Sequence, residues 1–144
     1  MLLEVQALIT PTLFGMPRRT AAGTDYNRVN VLMAVLEKRC HYELSRYDAY
    51  VNIAGGLRMN EPALDLAISS LKDKPVNPRT IIFGEVGLAG EVRAVPMAEQ
   101  RVNEAKKLGF ETCILPKTSL DKMRKMEGIR MVGVENIREA ISLL

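Results

Sequence analysis

Residues 80–96, "TIIFGEVGLAGEVRAVP", decide the class of fold because they place two apolar runs on either side of a glycine-rich turn. Such runs are typical of two strands, here joined by a tight turn at Gly87 to Gly90. A P-loop would need the lysine and hydroxyl of GxxxxGK[ST], and neither is present. A dinucleotide-binding loop would need a helix to begin at the glycines, whereas a second strand follows. The stretch therefore predicts a hairpin, and the sequence shows no nucleotide site of its own.

Helix-like and strand-like segments alternate on both sides of this hairpin. The first helix is predicted to run from an N-cap at Asp25 through Arg39, and residues 10–23 are predicted to be a loop. The other predicted elements are strands at 2–9, from 48, at 112–115 and at 129–134, and helices at 97–108, from 118 and from 136. Thr118 with Asp121, and Asn136 with Glu139, resemble capping pairs. With no repeat or linker, residues 1–144 are predicted to form one α+β or α/β domain.

Composition excludes several classes of protein. An apolar fraction of 47% in 144 residues is enough for a core, and the net charge of +3 permits a nucleic-acid partner without requiring one. No run approaches the ~18 apolar residues of a membrane span, and the N-terminus is not expected to be a signal peptide.

Cys40 and Cys113 lack CxxC spacing, so we expect no disulfide or metal site and a reducing, cytoplasmic location. His41, the only histidine, is expected to cap a helix end.

Residues 58–70, "RMNEPALDLAISS", predict a helix capped by Asn60 with Pro62 in its first turn. Ser69 or Ser70 with Lys72 could be imagined as a serine–lysine dyad. That chemistry needs a neutral lysine, and Lys72 lies in the charged segment "KDKP", where water keeps it protonated. A dyad at this end of the helix is therefore disfavoured.

Carboxylates give no stronger signal for a site. Glu61 and Asp65 are four residues apart, as metal ligands could be, but no histidine or further acid accompanies them at helical spacing. Stabilisation of the helix dipole explains them better. Glu85 and Glu91 flank the glycine turn as solvated surface acids.

Basic residues are the remaining candidates for a binding site. Most are interleaved with acids, which favours a solvated surface. Two loop groups have few acids nearby and could contact phosphates if they converge: Arg18, Arg19, Lys72, Lys74 and Arg79. Aromatic residues make up only 5% of the chain and are not interleaved with these groups, so base stacking is poorly supported.

Seven segments together closely resemble one family. They are "LEVQALITP", "DYNRVNVLMAVLEKR", "YVNIAGGLRMNEPALDLA", "SSLKDKP", "IIFGEVGLAGEVRAVP", "EQRVNEAKKLGF" and "ILPK". In combination they resemble the C-terminal domain of the bacterial DNA-repair family called RadA or Sms, which is related to the proteolytic domain of Lon. The resemblance covers residues 3–144.

The resemblance implies a Lon-protease-like α+β fold, akin to the second domain of ribosomal protein S five. It also implies that the chain is part of a RecA-type ATPase and helicase that acts in branch migration. The resemblance further implies a hexameric ring in the full-length protein and contact with branched or single-stranded DNA. ATP, magnesium and zinc are then expected only in parts preceding Met1, with no cofactor, metal or membrane contact in this domain.

The relationship to Lon also implies which residues occupy the protease dyad. Ala63 stands where the nucleophilic serine would be, and Gln100 or Arg101 stands where the general-base lysine would be. Alanine offers no nucleophile, and neither Gln nor Arg accepts a proton usefully. One departure from the family is that roughly four or five residues, somewhat over one helical turn, are absent around Ile68.

Three functional hypotheses follow. The first is a non-enzymatic, Lon-like domain for oligomer assembly and DNA contact in a DNA repair and recombination ATPase. The second is a Lon-type serine peptidase that uses Ser69 or Ser70. The third is a structural, ring-forming domain that makes no contact with DNA.

Overall fold

The computed structural model describes residues 3–13, 15–54, 65 and 76–144. It has the mixed helix-and-strand composition that the sequence predicts. In chain order the described elements are β1 (Glu4–Pro11), β2 (Arg19–Ala22), α1 (Tyr26–Cys40), β3 (Tyr47–Ala54), β4 (Thr80–Ile82), β5 (Glu85–Val86), β6 (Val92–Arg93), α2 (Ala98–Lys107), β7 (Thr112–Pro116), α3 (Lys117–Leu120), β8 (Arg130–Val134) and α4 (Ile137–Ser142).

The first sheet has the order β1-β3-β2, with β1 antiparallel and β2 parallel to β3. The prediction of a loop over residues 10–23 is wrong in two places, because β1 continues to Pro11 and Arg19 begins a strand. Pairing of Arg19 with Ala49 gives this backbone its hydrogen-bond partners in spite of the prolines and glycines nearby. Tertiary pairing therefore overrides the local composition.

The second sheet is wholly parallel, in the order β4-β7-β8. Its central strand is buried on both faces, which explains the continuous apolar run in β7. Ile114 points into a cluster formed with α1 and α4, whereas Cys113 and Leu115 pack with Val102 and Ala105 of α2. Since β7 belongs to both clusters, it joins the two halves of the core.

The glycine turn forms the predicted hairpin. Strands β5 and β6 pair antiparallel, and the Gly90 N–H donates to the Gly87 carbonyl at 2.9 Å. Gly90 has φ of 82°, a conformation that side chains rarely adopt. The apolar run before the turn is not one strand, however. It divides at Phe83 and Gly84 into β4, which joins the parallel sheet, and β5, which joins the hairpin.

Side chains cap two of the helices at their N-termini as the sequence predicts, and a third predicted cap is not formed. The Asp25 carboxylate accepts from the Asn27 N–H at 2.7 Å, and the Asn136 side chain accepts from the Glu139 N–H at 3.1 Å, so both caps are confirmed. The cap at Thr118 is wrong, because α3 begins at Lys117 after Pro116 and no side chain caps it. Proline has already fixed the local backbone where that helix begins.

The ends of α1 and α2 are formed by residues in the left-handed region. His41 ends α1 with φ of 59°, so it marks the helix end as predicted. Gly109 follows α2 with φ of 89°, the conformation that is typical of a C′ glycine.

Candidate functional site

The structure describes one of the two positions that correspond to a Lon-type dyad. Ala63 lies outside the described residues, as do Ser69, Ser70 and Lys72 of the rival dyad. Gln100 and Arg101 lie in the first turn of α2. The Arg101 guanidinium donates to the Pro96 carbonyl at 3.0 Å and lies 5.9 Å from the centroid of the Phe83 ring. An amide and a bound guanidinium cannot act as a general base, so this half of a dyad has no base at either residue.

Asp65 lies in the core and makes specific polar contacts. Its side chain is 2% exposed and forms an ion pair with Arg28 of α1. The Arg28 Nε donates to Oδ1 at 2.9 Å, and the Val86 N–H donates to Oδ2 at 3.1 Å. The hydrogen bond to Asp65 raises the pKa of Arg28 above its ordinary value. The helix-dipole explanation for Asp65 is therefore wrong, because its carboxylate is used in a buried contact with two other elements.

Sequence reasoning missed Arg28, although a signal was present. Arg28 precedes the buried Val29 and lies about one helical turn before the buried Leu32. A charge this close to the apolar face of a helix loses part of its hydration, so it needs a partner that compensates for that loss. Searching for an acid with a similar apolar context would have led to Asp65.

Arg19 is the first residue of β2, and Arg18 comes just before it. The two arginines differ in their hydrogen bonds. Arg18 is exposed, and its backbone N–H donates to the Asp48 carboxylate at 2.7 Å. The Arg19 guanidinium donates to the Leu44 carbonyl at 2.7 Å and also to the Tyr47 carbonyl. Arg19 therefore holds the 3₁₀ turn (Leu44–Arg46) and the start of β3 in place.

Arg79 is attached to the other sheet, just before β4. Its guanidinium forms an ion pair with Glu111, so the expectation that acids are few near this group is wrong for Arg79. Lys72 and Lys74 lie outside the described residues. Since Arg19 pairs with β3 and Arg79 adjoins β4, the structure places the described candidates beside two different sheets.

Neither cysteine is an activated nucleophile. Burial raises the pKa of the Cys113 thiol to about 12, so it carries almost no thiolate near neutral pH. Burial also raises the pKa of Cys40. Within the described ranges, no group of three His, Cys, Asp or Glu side chains could hold a metal ion. None of the helices in those ranges has the length and apolar character needed to cross a membrane.

Comparisons with known proteins give a family and a group of relatives. A family model with the description "Subunit ChlI of Mg-chelatase" matches residues 5–119. The chain is 54% identical over 145 residues to the DNA repair protein RadA of Bacillus subtilis (strain 168), which is 97% of the chain and 32% of that relative. It is 50% identical over 97% of its length to the DNA repair protein RadA of Streptococcus pneumoniae (strain ATCC BAA-255 / R6), of which it covers 34%. The chain thus spans 32% to 34% of the length of these relatives.

The alignment to the Bacillus relative also has a bearing on the gap predicted near Ile68. The alignment is 145 positions long, whereas the part of this chain that it includes is 97% of 144 residues and is therefore shorter than the alignment. The relative therefore has a few residues within the matched span that this chain lacks.

Proposed function

The chain belongs to the family described as subunit ChlI of Mg-chelatase, and we propose that it is a non-proteolytic, Lon-like domain of a DNA repair protein of the RadA kind. The observation that carries the proposal is 54% identity to a DNA repair protein RadA over 97% of the chain. Identity at that level over nearly the whole length is more specific than the family description. We place the protein in the cytoplasm and residues 1–144 in one domain.

The residue types at the two dyad positions support a domain that has no protease activity. Ala63 has no nucleophile in its sequence position. Gln100 is a neutral amide, and Arg101 is held by Pro96 and the Phe83 ring. The proposed Lon-protease-like fold, akin to the second domain of ribosomal protein S five, would then serve as a scaffold. Turnover of a fluorogenic peptide that disappears on changing Ser69 and Ser70 to alanine would overturn this part of the proposal.

The proposed roles of the scaffold are ring assembly and contact with DNA, as part of an ATPase and helicase that acts in recombination. Arg18, Lys72 and Lys74 are proposed as phosphate contacts by their place in the sequence. Arg19 and Arg79 are weaker candidates, because the Arg19 guanidinium holds backbone carbonyls and Arg79 is paired with Glu111. A gel-shift assay with a salt titration tests the DNA contact. Light scattering on the same chain separates a DNA-binding ring from a purely structural one.

A further inference from the structure

The loop between β1 and β2 carries two large apolar side chains that are almost fully in water. Leu13 is 85% exposed and Met16 is 79% exposed, the highest values for large apolar residues in the part of the chain that the structure describes. Single exposed apolar residues are ordinary, whereas two at one place mark a contact surface. We call Leu13 and Met16 the apolar tip.

Hydrogen bonds hold the loop that presents the apolar tip. The Thr12 N–H donates to the Arg46 carbonyl at 2.9 Å, and the Thr12 hydroxyl donates to the Met16 carbonyl at 3.2 Å. Between these bonds Gly15 has φ of 72°, a conformation that glycine adopts without strain. Local bonding therefore fixes the loop while its apolar side chains make no use of the core.

Two cations lie next to the apolar tip. Arg18 follows it by two residues and is exposed, and Arg46 adjoins the loop through the backbone bond just described. The Arg46 side chain is 79% exposed and its ion pair with Glu43 has a distance of 3.7 Å, so a phosphate can replace Glu43 at little cost. Between Glu4 and Asp25 the sequence has no acid. The surroundings of the apolar tip are therefore basic.

We propose that the apolar tip inserts between the bases of DNA, beside phosphates that Arg18 and Arg46 contact. This role rests on the proposed contact with DNA, to which it adds a contact with bases. Leucine and methionine are among the side chains that proteins insert as wedges between base steps. The adjacent cations favour a polyanion over an apolar protein surface, against which they would lose hydration without a counter-charge.

The expected substrate is DNA with bases that are already unpaired. Insertion between stacked base pairs costs free energy, and this cost is least where a base is mismatched or single-stranded. The apolar tip should therefore contribute more to the binding of branched DNA than to the binding of a uniform duplex.

Branched DNA with 2-aminopurine beside the branch point tests the insertion, because the fluorescence of this base rises when it leaves the stack. At low salt the unaltered chain should raise the fluorescence. Leu13→Ser and Met16→Ser should each reduce that rise and weaken binding to branched DNA about tenfold, since each removes the burial of one large apolar side chain. Affinity for a uniform duplex should change by less than about twofold in both variants.

Leu108→Ser is the matched control. It removes a 55% exposed apolar side chain at the end of α2, which packs on the second sheet, so fluorescence and affinity should stay unchanged. Leu13 and Met16 lie in water, so their variants should unfold in urea like the unaltered chain. An equal effect of Leu108→Ser, or a constant fluorescence while the chain is bound to branched DNA, would overturn the insertion.

The same titrations separate this role from the proposed DNA contact itself. If the unaltered chain binds no DNA at low salt, both are contradicted. If Arg18→Gln weakens binding but Leu13→Ser and Met16→Ser do not, the phosphate contact stands and insertion of the apolar tip is contradicted. A change in molar mass by light scattering in the two apolar variants, with unchanged binding of DNA, would assign the apolar tip to contact between copies of the chain and would also overturn the insertion.

Discussion

Arg28 and Asp65 form an ion pair that links α1 to β5 through the backbone of Val86. Arg28 Nε lies 2.9 Å from Asp65 Oδ1, and the same guanidinium donates to the Val86 carbonyl at 2.8 Å. The Val86 N–H returns a bond to the carboxylate at 3.1 Å. Every charged atom of this pair that faces the interior has a partner, which is the condition under which a buried ion pair is tolerated.

Removing the cation should be strongly destabilising, because it leaves the Asp65 carboxylate buried without a counter-charge. We expect Arg28→Met to lower the free energy of unfolding by about 3–5 kcal/mol in urea titrations. The matched control is Arg79→Met, since the Arg79–Glu111 pair is 67% and 59% exposed and should lose less than about 1 kcal/mol. Equal losses in the two variants would show that burial of the first pair has no energetic consequence.

The helix caps give a second set of stability predictions. Asp25→Ala and Asn136→Ala each remove an acceptor for helix N–H groups, and each should cost about 1 kcal/mol in thermal or urea unfolding. Thr118→Ala should change stability by less than about 0.5 kcal/mol, because no side chain caps α3. A loss at Thr118 as large as that at Asp25 would favour the cap that the sequence suggests over the observed one.

The Cys113 thiol should make stability depend on pH in alkaline solution. Burial raises its pKa from 9.0 to about 12, so between these values the unfolded chain releases a proton that the folded chain retains. The resulting contribution is fully present below pH 9 and is lost as the pH rises towards 12. Urea unfolding across this range should therefore show a decline that is smaller in Cys113→Ala. The same slope in both proteins would rule out Cys113 as its source.

Restoring the nucleophile alone should not restore proteolysis. Ala63→Ser supplies a hydroxyl, but Gln100 and Arg101 provide no neutral amine to deprotonate it. Turnover of a fluorogenic peptide should therefore stay at the background of the unaltered chain, with an active Lon-type protease as the positive control. Measurable turnover by this single variant would mean that another side chain acts as the base.

Much of the fold could be predicted from local sequence. Asp25, Asn136, Gly90 and Gly109 act through their own backbone and nearest neighbours, so their roles are visible in the sequence. Strand β2 was missed because its stability comes from pairing with β3, some 30 residues further along the chain in the Arg19–Ala49 pair. The division of residues 80–86 into β4 and β5 likewise depends on the distant partner strand β7.

The candidate site was harder to predict, because its charged side chains form ion pairs with residues that are remote in sequence. Arg79 and Glu111 are 32 residues apart, and Arg28 and Asp65 are 37 apart, so local acid content predicted neither pair. By contrast, the absence of a base at Gln100 or Arg101 follows from residue type alone.

Binding of DNA as a function of salt tests the central claim most directly. Fluorescence anisotropy with labelled single-stranded and branched DNA should show affinity that falls linearly with the logarithm of salt concentration. Arg18→Gln, Lys72→Gln and Lys74→Gln should each weaken binding and reduce that slope by about 1, whereas Lys107→Gln should change neither. No binding at low salt, binding that salt does not weaken, or an equal effect of Lys107→Gln would contradict the proposed DNA contact.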